Sequence, residues 1–264
     1  MKIYCLQFDI AWHDKLANFE KVRLLLSAAK PEKGSLVLLP EMFATGFSMD
    51  VPAIAEPARG PTHDFLARLA QDFAITLIAG VVRTGPDGQG RNRALVLSAT
   101  GELLADYAKL HPFTFGGESK HYRAGDSLAL FPWQNATILP AICYDLRFPE
   151  LFRAGIQAGA QIITLIANWP AARESHWLAL LTARAIENQC YVAACNRCGK
   201  DPNTSYCGRS VIIDPHGNLL ADAGAAEMPI SAEVDLAALR HYREEFPALT
   251  DMRADLLPPP RLKK

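Results

Sequence analysis

The chain has 264 residues, 50% of them hydrophobic and 21% charged, a balance that excludes a disordered chain or a collagen-like fibre. Lys plus Arg number 27 against 28 Asp plus Glu, so the net charge is −1 and no long-range field draws the protein to nucleic acid or anionic lipid. The expected partner is a small molecule or a second copy of the chain.

Apolar runs of strand length alternate with segments of helical period from end to end, the mark of a layered α/β fold. Residues 2–8 read as a strand, 16–29 as a helix, and 35–39 as a short buried strand that ends at Pro40-Glu41. A helix is predicted over 62–73 with Thr62 as its N-cap, then strands over 75–83 and 93–98 joined by a Pro86-Asp87-Gly88 turn, and another over 103–108. Residues 136–142 form a buried strand running into Cys143, and a helix over 149–158 opens with Pro149, the position helices favour for proline. A strand over 162–167, a helix over 175–188, strands over 191–195 and 210–213 and a helix over 236–246 complete the pattern. The Pro- and Lys-rich segment 258–264 is expected to be a surface extension or a contact with a partner subunit. The pattern G-x-L-L-A-D occurs at 101–106 and again at 217–222, which predicts two similar hairpins and points to two related halves whose sheets pack face to face.

No run approaches about 18 uninterrupted apolar residues, and the N-terminal segment reads as a strand, so the expectation is a cytoplasmic protein with no membrane partner. Six cysteines (Cys5, Cys143, Cys190, Cys195, Cys198 and Cys207) are too sparse for a disulfide scaffold and are expected to be free thiols. Cys195-Asn196-Arg197-Cys198 is a C-x-x-C, but the second paired arm of a zinc site is lacking. Core packing is favoured there over metal.

Cys143 ends a buried strand and precedes a polar turn and a helix, the place where α/β folds present reactive groups and where a helix N-terminus lowers a thiol pKa. Its alternative is an ordinary buried thiol. Glu41 is delivered at the mouth of the sheet through Pro40, as a general base requires, and Lys109 ends the strand 103–108, where an ammonium can face a developing oxyanion. A thiol, a carboxylate and an ammonium at three strand ends form an acyl-transfer set. A papain-type thiol–imidazole pair using His111, His121 or His176 is the rival, but its local signature is absent. A binding module without turnover is the other alternative, and the presence of all three groups argues against it.

Leu39-Pro40-Glu41-Met42-Phe43, Tyr107-x-Lys109-x-His111-Pro112-Phe113 and Ile142-Cys143-Tyr144-Asp145-Leu146-Arg147-Phe148-Pro149-Glu150 together resemble the nitrilase superfamily of carbon–nitrogen hydrolases. Within it, the stretches 40–49, Asn168-Trp169-Pro170-Ala171-Ala172-Arg173, His176-Trp177, 183–189 and Asn196-Arg197-x-Gly199 are most similar to the bacterial omega-amidases that act on 2-oxoglutaramate. The resemblance implies one carbon–nitrogen hydrolase domain over 1–250 with a tail at 251–264, an α-β-β-α sandwich, a homodimer, and no cofactor or metal. It implies a Glu41, Lys109, Cys143 triad acting on a small amide, with the Tyr144 backbone N–H as second oxyanion donor and Glu118 orienting Lys109 from a pliant Gly116-Gly117 loop. An amide of a dicarboxylic acid carries a carboxylate at its far end and needs an arginine fork. Arg173 is the first candidate and Arg147, as close in sequence to the nucleophile, the second, although the resemblance favours a structural ion pair there; Phe43, Tyr144 and Trp169 are expected as apolar walls. Another superfamily amidase, or a nitrilase, is the alternative activity.

Overall fold

The computed structural model describes residues 1–256 and 261–263. Its first half runs β1 (Lys2–Gln7), α1 (Lys15–Ala29), β2 (Leu36–Leu38), α2 (Val51–Ile54), α3 (Pro61–Phe73), β3 (Thr76–Thr84), β4 (Gly90–Leu97) and β5 (Leu103–Ala108). The second runs β6 (Phe131–Trp133), β7 (Ala136–Ile142), α4 (Pro149–Gln157), β8 (Ile162–Ala167), α5 (Glu174–Glu187), β9 (Tyr191–Asn196), β10 (Cys198–Lys200), β11 (Ser205–Cys207), β12 (Val211–Ile213), β13 (Leu219–Asp222), β14 (Met228–Glu233) and α6 (Leu236–Glu245).

Two six-stranded sheets result, ordered β14-β1-β2-β3-β4-β5 and β13-β12-β9-β8-β7-β6. In each, three parallel strands are followed by two antiparallel ones, and one more strand lies antiparallel on the opposite edge. The strands alternate as period-2 elements must: Ile3 and Cys5 face the second sheet with Leu36 and Leu38, whereas Tyr4 and Leu6 face α1 and α3 through Val22, Leu26, Phe65 and Leu66. Helices α4 and α5 cover the outside of the second sheet through Leu151, Phe152, Trp177 and Leu181. The architecture is the expected α-β-β-α sandwich, and its 11205 Å² of exposed surface agrees with size scaling for a compact chain.

The repeated hexads close the same kind of hairpin. Ser98 N–H donates to Glu102 O and Gly101 N–H to Ser98 O, and Asp214, Asn218 and Gly217 repeat both bonds. Gly101 and Gly217 sit at φ +79° and +87°, where a side chain is strained. The echo therefore marks equivalent positions in two topologically matched halves.

Thr62 is not an N-cap. Gly60 holds that position with Pro61 next, and the Thr62 N–H and hydroxyl both donate to Glu56, whose carboxylate supplies the missing acceptor. Strand β14 escapes sequence reading because its burial does not alternate cleanly, its pairing with β1 being fixed from outside the segment. In the tail, Arg261 and Lys263 hydrogen-bond the backbone of Leu128 of the same chain, while residues 257–260 and 264 lie outside the described residues. No helix among the described residues is long and apolar enough to cross a membrane.

Candidate active site

Glu41, Lys109 and Cys143, separated by a hundred residues of chain, meet at one end of the sandwich. Glu41 follows β2 through Leu39-Pro40, and the chain then turns back at Met42, φ +46°. Gly80 of β3 makes this approach feasible: its N–H donates to Pro40 O, its carbonyl accepts from Phe43 N–H, and a Cβ there would lie 2.4 Å from Glu41 Cα. Lys109 follows β5 and is anchored by its N–H to Asn92 O. Cys143 follows β7 directly at φ +47°, an unfavourable conformation for a residue with a side chain, which turns the thiol out of the strand direction.

The strain is held by Asp145. Its carboxylate accepts from the Ile142 N–H, the Tyr107 hydroxyl at 2.7 Å, and both the N–H and ring nitrogen of His111. The turn carrying Cys143 and the strand end carrying Lys109 are thus tied to one buried carboxylate.

Lys109 Nζ lies 2.9 Å from Glu41 Oε1 and 2.8 Å from Glu118 Oε2, and all three side chains are buried. Burial alone would lower the Lys109 pKa, but the charges of Glu118 and Glu41 outweigh it and hold it well above the ordinary value. Burial, then the negative charge of Glu41, pushes the Cys143 thiol well up, against the pull of Lys109 and of the Asn168 N–H. The expectation that a following helix would lower this pKa is therefore corrected: a 3-10 turn, residues 143–147, intervenes before α4, and desolvation dominates. The resting group is a neutral thiol that needs a base beside it.

Glu118 belongs to this cluster, and hydrogen bonds within its own loop place it there. Two successive 3-10 turns build it, Glu118 N–H donates to Phe113 O, and the Glu118 carboxylate takes the Phe113 N–H at 2.6 Å. Tyr144 occupies the first turn after Cys143, where 3-10 geometry leaves its N–H without an intrahelical acceptor and free to meet an oxyanion.

Cys143 opens on a cavity of ≈ 290 Å³ walled by Trp12, Phe47, Tyr144, Trp169 and Tyr206. Arg147 and Arg173 also line it, and neither has a carboxylate partner among the described residues. Arg173 lies 5.7 Å from the Phe113 ring centre and 5.6 Å from that of Phe115. Arg147 is not the expected structural ion pair: it stacks 4.9 Å over Trp169 and donates to His176 Nδ1. Phe43 is not a wall of this cavity either. The turn at Met42 sends it to the outer face of the sheet, where it packs with Phe19 and Phe65. Phe47 stands in its place, with Lys109 Nζ 5.3 Å from its ring centre.

Two residues without an assigned role from sequence reading enter the cluster. Asn168, at the end of β8, gives its backbone N–H to Glu41 Oε2 at 2.9 Å and its side-chain amide to Glu41 O at 2.6 Å. Asn92 Nδ2 lies 2.7 Å from Glu41 Oε1 and 2.9 Å from Glu118 Oε1. The available signal for Asn92 was an amide buried between two half-exposed arginines in an alternating strand, which places it on the inner face. The remaining thiols follow the packing expectation where contacts are described: Cys195 donates to Leu6 O and Cys190 to Arg184 O, both fully buried.

A family model described as carbon–nitrogen hydrolase matches residues 2–244. The chain is 40% identical over 253 residues to omega-amidase YafV of Escherichia coli K12, covering 95% of this chain and 96% of that protein. It is 34% identical over 255 residues to the 2-oxoglutaramate amidase of Bacillus subtilis, covering 96% and 98%. XC1258 of Xanthomonas campestris, a solved CN-hydrolase superfamily protein with an arsenic adduct in its active site, superposes with a TM-score of 0.91 at 34% identity over 96% of this chain and 97% of that one.

Proposed function

This chain belongs to the carbon–nitrogen hydrolase family, and from that membership we propose that it is an omega-amidase, hydrolysing the terminal amide of 2-oxoglutaramate and similar dicarboxylic acid monoamides. It is an amidohydrolase of carbon–nitrogen bonds other than peptide bonds. The observation that carries the substrate reading is the pair of guanidinium groups, Arg147 and Arg173, that line the Cys143 cavity without a carboxylate partner among the described residues. An anionic ligand supplies that partner, and an arginine fork suits a carboxylate.

In the mechanism we propose, Glu41 takes the Cys143 proton as the sulfur attacks the amide carbonyl. The tetrahedral oxyanion is held by the Lys109 ammonium and the Tyr144 N–H. Glu41 returns its proton to the nitrogen, the carbon–nitrogen bond breaks, and ammonia leaves a thioester on Cys143. Water, deprotonated by Glu41, then attacks that thioester, and the thiol recovers the proton as the dicarboxylate departs. No step calls for a cofactor or metal. Glu118 keeps Lys109 oriented, Trp169 and Tyr144 wall the acyl group, and residues 1–250 act as one domain with 251–264 as a tail. A cytoplasmic homodimer is part of the same proposal.

Ammonia release measured on 2-oxoglutaramate, glutamine and a simple aliphatic nitrile tests the reading. Release from 2-oxoglutaramate far above the other two is expected. Release from the nitrile alone would instead make the protein a nitrilase, and silence on all three would remove the substrate assignment.

A further inference from the structure

We infer that Asn92 is a positioning residue of the active site, its single side-chain amide locking Glu41 and Glu118 together and directing proton traffic to one oxygen of Glu41. The inference rests on the proposed roles of Cys143 and Glu41. Asn92 does not line the cavity, but it contacts the three charged groups that act on the thiol, Glu41, Glu118 and Lys109. Its Nδ2 lies 2.7 Å from Glu41 Oε1 and 2.9 Å from Glu118 Oε1, and its backbone carbonyl accepts the Lys109 N–H. Lys109 Nζ bridges the same carboxylates at 2.9 and 2.8 Å, so Glu41, Lys109, Glu118 and Asn92 form a closed ring.

The ring makes the two oxygens of Glu41 unequal. Oε1 accepts from Asn92 and from Lys109, which occupies both of its in-plane lone pairs. Oε2 accepts the Asn168 N–H at 2.9 Å and only a stretched 3.4 Å contact from the Asn168 amide. The proton taken from the thiol therefore goes to Oε2, while Oε1 stays in the ring as a carbonyl-like acceptor. Asn92 Oδ1 is buried without a hydrogen-bond partner among the described residues, so the side chain is held by its donors. The amide is oriented for its donors, between two carboxylates that share one ammonium. The titratable groups it contacts are Glu41, Glu118 and Lys109, and Cys143, Tyr122 and Tyr206 surround those in turn.

The test uses Asn92→Ala, Asn92→Ser and Asn92→Asp, with two readouts across pH: kcat/KM for 2-oxoglutaramate, and the rate at which iodoacetamide alkylates Cys143, read by intact mass. Asn92→Ala removes one of the hydrogen bonds that hold the Glu41 carboxylate, so both acid limbs move to higher pH, by at least about half a unit. In the same variant kcat falls at least roughly tenfold and KM changes by less than about threefold. Asn92→Ser keeps a donor for one carboxylate and falls between the two. In the isosteric Asn92→Asp a third carboxylate replaces the donor, so both rates collapse near pH 8 and partly recover on acidification as that carboxyl regains a proton to donate. Should the alanine variant fail to fold, this acid rescue carries the decision. Acid limbs that stay at the wild-type pH, or a loss in Asn92→Asp that is the same at every pH, would overturn the inference. If the wild type releases no ammonia from 2-oxoglutaramate while the alkylation limbs still move, the substrate reading fails and the positioning role stands.

Discussion

Lys109→Met deletes a charge while keeping most of the volume of the side chain, and leaves Glu41 and Glu118 facing each other. The ammonium lies 2.9 and 2.8 Å from the two carboxylates, all three out of solvent. Removing one partner of a buried ion pair costs about 3–5 kcal/mol. At roughly 2–4 °C per kcal/mol for a chain of this size, the unfolding midpoint falls by about 6–20 °C. Substitution here therefore reaches the fold as well as the chemistry, because the lysine is a buried counter-ion to two carboxylates in addition to its proposed role as an oxyanion donor. Loss of the donor raises the barrier by about 3–4 kcal/mol, so kcat falls about 10²- to 10³-fold. Thermal unfolding and ammonia release are measured on Lys109→Met and on the double variant with Glu118→Gln. The double variant drops one of the two opposed charges, so at least half of the lost stability returns while kcat stays about 10²- to 10³-fold below the wild type. A single variant that melts with the wild type would refute the counter-ion role, and a double variant that regains turnover would refute the oxyanion role.

Gly80→Ala places a Cβ 2.4 Å from Glu41 Cα, so β3 and the Glu41 turn must part. Stability falls by about 1–3 kcal/mol in urea unfolding and turnover at least roughly tenfold. Arg147→Met and Arg173→Met each raise KM for 2-oxoglutaramate at least about tenfold in steady-state kinetics, as expected for loss of a charge-assisted hydrogen bond, with kcat within a few-fold. An unchanged KM in both variants would remove the arginines from substrate binding. Stability falls on the alkaline side. Burial pushes the Cys190 thiol up to about 12 from 9.0, so above pH 9 the unfolded chain loses a proton that the folded chain keeps. The loss is about 1.4 kcal/mol per pH unit from this thiol alone until the folded value is passed. A urea midpoint that stays flat between pH 8 and 11 would contradict it.

The strand-end positions of Glu41, Lys109 and Cys143 were legible because each ends an apolar run in a short polar turn, a local pattern that needs no knowledge of neighbours. Helix ends were read to within a residue or two for the same reason, as at Pro149, which opens α4. Phe43 was misread because proximity in sequence to Glu41 says nothing of direction, and one left-handed residue, Met42, sends it to the opposite face. Of the two readings of Arg147 only the structural ion pair fails, because an aromatic face and a histidine nitrogen, not a carboxylate, hold it at the cavity wall. Asn92 and Asn168 had no readable role because each meets Glu41 only in the folded chain, Asn92 from two strands away in the same sheet and Asn168 from the facing sheet, 51 and 127 residues distant in sequence. The fall of the thiol pKa expected from a following helix was an argument about the dipole alone, and burial decides the direction.

The covalent step is the most exposed part of the mechanism. Rapid quenching of the protein with 2-oxoglutaramate, followed by intact-mass and peptide analysis, is expected to find the acyl group of the substrate on Cys143, formed together with an equal amount of ammonia. The adduct and all turnover are expected to be lost in Cys143→Ala. Ammonia release by Cys143→Ala at the wild-type rate, or an acyl group carried on any other residue, would contradict the thioester mechanism.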